Sequence, residues 1–173
     1  MMHTTDECRD VKKMTKSSNT LNVVFVDQQK EPSTELTSKN KEIVGLAIAV
    51  LEEEGLGDRL IEVNIHFVDE EPMADLNAQH MNQTGPTDVL AFPLDDPKKS
   101  DDQDEFLLLG DVVICPKVAD RQATNHSYEA ELSLLLIHGI LHLLGYDHAE
   151  EDEKLIMEKR QQKILQDHGL DKK

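Results

Sequence analysis

SYEAELSLLLIHGILHLLGYDH, running from Ser127 to His148, is the stretch whose reading decides how the chain folds. Leu132, Leu134, Leu135, Leu136, Ile137, Ile140, Leu141, Leu143 and Leu144 leave almost no polar face, so the spacing predicts a helix buried on all sides at the centre of the molecule. Ser127 is a suitable N-cap, and Glu129 and Glu131 fall in the first turn, where the helix dipole favours acids. Three of the chain's eight histidines lie in the last eleven residues of this stretch, too dense a cluster to treat as incidental. His138 and His142 are one turn apart on the same face, with Cβ atoms roughly 6 Å apart, which suits two imidazoles sharing one metal ion. Gly145 can take the left-handed conformation that ends helices, so the backbone turns there and brings His148 back towards the other two.

Three neutral imidazoles without a fourth protein ligand predict a catalytic zinc, because one coordination position stays free for water or substrate. The spacing His-x3-His-x5-His is also that of the long zinc-protease motif, in which a glutamate after the first histidine acts as general base. Gly139 holds that position here, so a peptidase reading lacks its proton acceptor while a metal site keeps all its ligands. The competing interpretation, ordinary helix histidines with satisfied hydrogen bonds, suits one histidine better than three on an otherwise apolar helix.

The rest of the composition narrows the class. A chain of 173 residues fits one domain and can bury a core without disulfides or a structural metal. With no tryptophan and only 3% aromatics, that core is built from leucine, isoleucine and valine, and no aromatic base-stacking platform is expected. Cys8 and Cys115 are far apart and neither sits in a CxxC pair, which points to a reduced, cytoplasmic chain. The first residues lack the apolar core of a secretory signal, and the longest apolar run, Ile43 to Leu51, is too short to span a bilayer of roughly 30 Å. The formal charge of −17 opposes nucleic acid as substrate. Much of the acid is nevertheless concentrated in Asp95 to Glu105 and Glu150 to Glu153, which read as solvated surface and leave room for a local basic groove.

Outward from the central helix, residues 1–20 show no periodicity and are expected to be a flexible extension. Arg9, Lys12, Lys13 and Lys16 could touch RNA from there, although the interleaved Asp6, Glu7 and Asp10 suit a plain tail. Residues 21–173 then form a single domain. Strands are predicted at Leu21 to Val26, at Ile61 to Phe67 with His66 on the solvated face, and at Thr87 to Phe92, which Pro93 stops. Phe106 to Leu109 and Val112 to Cys115 are either one strand with a bulge at Gly110 or two pieces. Helices are predicted at Glu35 to Glu54 after Pro32-Ser33, at Met73 to Met81 with Asp69 as cap, from Pro116 to about Asn125, and at Glu150 to Gln166. In the last of these Leu155, Ile156, Ile164 and Leu165 are expected to face inward.

His138-Gly139-Ile140-Leu141-His142-Leu143-Leu144-Gly145-Tyr146-Asp147-His148 resembles the signature of the YbeY family, bacterial endoribonucleases that mature ribosomal RNA. Leu76-Asn77, Pro86-Thr87-Asp88-Val89-Leu90 with Phe92-Pro93, and Leu109-Gly110-Asp111-Val112-Val113-Ile114-Cys115 match in the same order, so the resemblance covers roughly residues 21 to 167. It implies an α+β fold, with a small mixed sheet of about four strands packed by about five helices. It further implies one zinc ion on His138, His142 and His148, and single-strand-specific RNA hydrolysis in late 16S rRNA 3′ end maturation and 70S ribosome quality control. The implied partners are single-stranded rRNA or its precursor and the small ribosomal subunit with its proteins, with no membrane involved. Two departures stand out: Met81 where many members carry an arginine, and Ala91 where serine is usual. If that arginine holds RNA, its role here is lost or has passed to a residue such as His80 or Arg121. Asp147 is either an acceptor for a ligand N–H or simply a turn residue, and Asp88 and Asp111 are candidate bases that strand ends explain equally well. No general base is assigned. The alternatives are a ribosome-assembly factor with a structural or weakly active zinc site, and a metallopeptidase.

Overall fold

The computed structural model describes residues 12–17, 20–32 and 34–171, with side chains described for 20–32 and 40–171. Five strands form one mixed sheet in the order β1-β2-β3-β5-β4. The strands are β1 (Lys12–Ser17), β2 (Leu21–Asp27), β3 (Ile61–Phe67), β4 (Val89–Pro93) and β5 (Leu107–Ile114). β2, β3 and β5 run parallel, while β1 and β4 are antiparallel to their neighbours at the two edges. Five α-helices accompany the sheet: α1 (Thr34–Glu53), α2 (Glu70–Met81), α3 (Pro116–Gln122), α4 (Tyr128–Leu143) and α5 (Glu151–Asp167). The α+β class and the five helices agree with the sequence reading, and no helix among the described residues is long and apolar enough to cross a membrane.

The fifth strand is a correction. Residues 12–17, placed in the sequence reading within a flexible extension, pair along their whole length with β2, Lys12 opposite Asp27 and Ser17 opposite Asn22. Edge pairing is a property of the backbone, and a lysine-rich, apolar-poor edge strand does not announce itself by hydrophobic periodicity. Among the described residues the folded unit therefore begins at residue 12 instead of 21. Asp6, Glu7, Cys8, Arg9, Asp10 and Ser33 lie outside the described residues.

The strict alternation of β3 buries Ile61, Val63, Ile65 and Phe67 on the face covered by α1 and α4. β5 resolves to one strand whose alternation changes phase: Leu107 and Leu109 face that core, and then Val112 and Ile114 do. Pairing with β3 jumps from Leu108 opposite Glu62 to Gly110 opposite Val63, so one extra residue is accommodated in a bulge. Gly110 has φ 130°, and a Cβ there would lie 2.1 Å from the Phe92 carbonyl oxygen, so glycine alone fits. The opposite face carries a smaller cluster, Val68, Met73, Leu90, Val113, Cys115 and Val118, partly covered by α2.

Two local expectations fail for identifiable reasons. Asp69 precedes α2 but makes no side-chain cap, and instead accepts the Lys30 backbone N–H at 2.9 Å. In α5 the buried residues are Met157, Ile164 and Leu165, while Leu155 and Ile156 are 48% and 60% exposed. At about 100° per residue, Met157 lies within roughly 20° of Ile164 around the helix, whereas Leu155 points to the opposite side. Composition in this segment outvoted phase.

Candidate metal centre

Ser127 caps α4 as expected, its hydroxyl oxygen accepting the Ala130 N–H at 3.2 Å. The helix then runs directly over β5. A Cβ on Gly139 would come within 2.5 Å of Val112 Cγ1, so the absent side chain lets the helix pack closely on β5 here. Where a zinc protease places a glutamate, the space beside Gly139 is here occupied by the Val112 side chain.

The helix ends as the sequence predicts. Gly145 donates its N–H to His142 O, Tyr146 donates to Leu141 O, and Gly145 takes φ 85°. Asp147 Oδ1 accepts the His148 backbone N–H at 2.7 Å, which gives it the role of a turn residue. The chain thereby reverses, and the three imidazoles converge with ring centroids 4.6, 5.0 and 5.8 Å apart.

The donor set suits one metal ion. A tetrahedral ion about 2.0–2.1 Å from each nitrogen needs those nitrogens about 3.4 Å apart. The Nε2 atoms of His138 and His142, 3.1 Å apart, are near that spacing, whereas the full set with His148 lies within 4.8 Å, so the rings must draw closer to hold an ion. Protonation explains why that close pair is informative. His138 Nδ1–H donates to Gln161 Oε1 on α5 at 3.0 Å, and His142 is hydrogen-bonded to the Tyr146 backbone. With Nδ1–H of His138 donated to Gln161, the neutral His138 ring turns its Nε2 lone pair towards His142, where a cation can be shared. Burial lowers the proton affinity of His138 and His142, and for His142 the neighbouring His138 and His148 lower it further. Both effects favour the neutral form that binds metal.

The turn is braced from two helices. Tyr146 Oη–H donates to Glu54 Oε2 at 3.0 Å, just beyond α1, and Arg160 of α5 pairs with the same carboxylate. The histidines open into a cavity of about 520 Å³ between α4 and β4, whose wall includes Asn77, Met81, Ala91, Asp147 and Tyr146. Asn77, itself buried, donates to Gly85 O at 2.8 Å and holds the loop leading into Pro86-Thr87.

The other candidates separate. Asp88 lies near enough for its charge to raise the proton affinity of His138, but its Oδ1 accepts the Val89 N–H at 2.7 Å and the Thr87 hydroxyl at 3.1 Å. Asp111 lies on the far face of the sheet, 3.2 Å from His66, so it is no base for this site. His66 is accordingly a half-buried partner of Asp111 and not simply solvated. Neither residue considered as a substitute for an arginine at Met81 lines the cavity. His80 packs edge-on against Phe92 at 4.8 Å, and Arg121 is bound to Glu70 at 2.5 Å. The sequence reading missed Gln161, although a polar residue between Met157 and Ile164 on a buried stripe was a usable signal. It also missed Glu54 and Lys98, which reach the turn from distant segments.

A model of the endoribonuclease YbeY family matches residues 25–169. A protein of Thermobifida fusca described as endoribonuclease YbeY is 54% identical over 110 residues, covering 61% of this chain and 71% of that one. One of Frankia alni with the same description is 54% identical over 113 residues, covering 61% and 62%. The solution structure of a Thermotoga maritima protein superposes with a TM-score of 0.51 at 27% identity, covering 85% of this chain and 90% of that one. With the three-histidine cavity in place on this α+β frame, the chain belongs to the endoribonuclease YbeY family, hydrolases that act on RNA.

Proposed function

We propose that the chain is a single-strand-specific, zinc-dependent endoribonuclease that acts in the cytoplasm in late 16S rRNA 3′ end maturation and 70S ribosome quality control. Its substrate on this reading is single-stranded rRNA or its precursor, met on the small ribosomal subunit together with its proteins. The observation that carries the reading is the convergence of His138, His142 and His148 on one point in an open cavity, with two Nε2 atoms facing each other at 3.1 Å. Zinc bound there supplies Lewis acidity towards a phosphodiester oxygen and lowers the pKa of water.

The chain's own residues supply positioning. Gln161 fixes the tautomer of His138, and the Tyr146 backbone holds His142. Glu54 and Arg160 hold Tyr146, and through it the turn that carries His148. On the β4 side Ala91 lines the cavity with a small side chain. The test is cleavage of a single-stranded rRNA precursor by the wild-type protein and by His142→Ala. Loss of cleavage in the variant supports the proposal, and equal cleavage by both refutes it.

A second reading, a ribosome-assembly factor whose zinc is structural or weakly active, is favoured by one observation: no lysine or arginine is among the residues lining the cavity. Stoichiometric zinc in a protein that leaves the precursor intact would select it. The peptidase reading has no support, since Val112 fills the space next to Gly139.

A further inference from the structure

An RNA strand entering this cavity brings phosphates to a chain of net charge −17, and the cavity wall offers them no cation. One ammonium nevertheless stands beside its wall. Lys98 lies in a single 3₁₀ turn, Pro97–Lys99, in the long connection between β4 and β5. Its Nζ is 3.9 Å from the position a Cβ would take on Gly145 and 5.7 Å from the centroid of the Tyr146 ring, both residues of the cavity wall.

The acids around Lys98 are engaged elsewhere. Asp95 Oδ2 accepts the Leu108 N–H at 2.8 Å. Asp96 Oδ1 accepts the Lys98 backbone N–H at 3.0 Å, and its Oδ2 pairs with Lys99 at 3.6 Å. Among the described residues Lys98 has no carboxylate partner, while Arg160, the other cation near this turn, is neutralised by Glu53 and Glu54. The ammonium is also placed rather than free-swinging. Pro97 is buried, which fixes the base of the turn, and the Tyr146 ring offers its face to the charge while its hydroxyl is held by Glu54.

We propose that Lys98 is the phosphate-binding residue of the three-histidine cavity, holding the backbone of a single RNA strand as it crosses the Gly145–Tyr146 rim. This inference rests on the proposed RNA substrate and adds the residue that receives it. A lysine is a point charge on a flexible stem, so it can hold a phosphate without dictating the base beside it. The binding is a ground-state contact and belongs to KM, not to kcat.

The test uses the full-length protein and a fluorescent single-stranded RNA, with Lys98→Gln, Lys98→Arg and wild type compared in two assays. Anisotropy on the metal-free protein reads binding alone, and steady-state cleavage by the zinc-loaded protein reads KM and kcat. Lys98 is exposed, so neither variant disturbs the core. We expect Lys98→Gln to bind several-fold more weakly, with the slope of log K against log salt shallower by about 0.7, the share of one single-strand phosphate contact. KM should rise in proportion with kcat within twofold, and Lys98→Arg should restore both. Wild-type affinity and salt slope in Lys98→Gln, in a protein whose cleavage still depends on His142, would overturn the inference while leaving the functional reading intact. Wild-type protein that neither binds nor cuts the RNA would instead overturn the functional reading, and this inference with it.

Discussion

If zinc binds at the three histidines as proposed, Gln161 is the residue through which that binding can be weakened without touching a ligand. Its Oε1 accepts His138 Nδ1–H at 3.0 Å, and that bond commits Nε2 to the unprotonated, metal-facing state. In Gln161→Ala the ring can take the other tautomer or rotate, and each alternative removes one ligand from the set. Partners of this kind are worth 10- to 100-fold in metal affinity, which corresponds to about 1.4–2.7 kcal/mol. The loss of one half-buried hydrogen bond costs the metal-free fold only about 1 kcal/mol. Gln161→Glu keeps an acceptor in place and strengthens it with charge, so it should bind zinc at least as tightly as wild type. Gln162→Ala, an exposed neighbour on the same helix, is the control for a general effect on α5. Competition against a chromophoric chelator measures the affinities, and urea denaturation of the metal-free proteins measures stability. If Gln161→Ala retains wild-type zinc affinity, or if Gln161→Glu loses as much as Gln161→Ala, the assignment of a tautomer-fixing role is wrong.

Three further outcomes follow from the same geometry. Gly139→Ala places a methyl group 2.5 Å from Val112 Cγ1, so despite a better helix propensity it should destabilise by about 1–3 kcal/mol in urea and weaken zinc binding by shifting His138 and His142. Unchanged stability would mean that α4 has slack against β5. His138 and His142 bind protons more weakly in the folded state than at the unfolded value of 6.5, so the unfolded chain takes up protons first as pH falls. The metal-free protein should therefore hold its stability above pH 6.5 and lose it progressively below, a fall that His138→Gln should reduce in denaturant titrations across pH 5–7.5. Asp111→Asn should leave zinc affinity and RNA cleavage within twofold of wild type, because its carboxylate lies across the sheet from the histidines. A tenfold loss in either would return Asp111 to the list of candidate bases.

Much of this was legible because the decisive residues are close in sequence. His138, His142, Gly145 and His148 obey two local rules, the helical repeat and the left-handed helix end, and both hold in the structure. β3 was legible for a similar reason, since Ile61, Val63, Ile65 and Phe67 alternate on one buried face. What escaped depends on pairing between distant segments. β1 exists because β2 offers it backbone partners, Gln161 reaches His138 across 23 positions, and Tyr146 meets Glu54 across 92. Such contacts leave faint traces at most, of which a glutamine on the buried stripe of α5 is one. Leu155 and Ile156 show the converse: they are apolar, but their phase on α5 turns them towards solvent.

The bulge at Gly110 links the sheet to the chemistry of the cavity. Leu107 and Leu109 face α4, and under strict alternation the next residue to do so would be Asp111. A carboxylate would then lie under Gly139, where packing leaves no space for water to solvate it, and it would have to compete with the metal for the adjacent His138. The extra residue instead turns Val112 inward, against the Cα of Gly139, and sends Asp111 to His66 on the other face. Gly110 makes the bulge sterically feasible, and Gly139 accepts the valine that it delivers. Two glycines 29 positions apart thus act on one contact, and together they keep an acid out of the candidate metal site formed by three imidazoles.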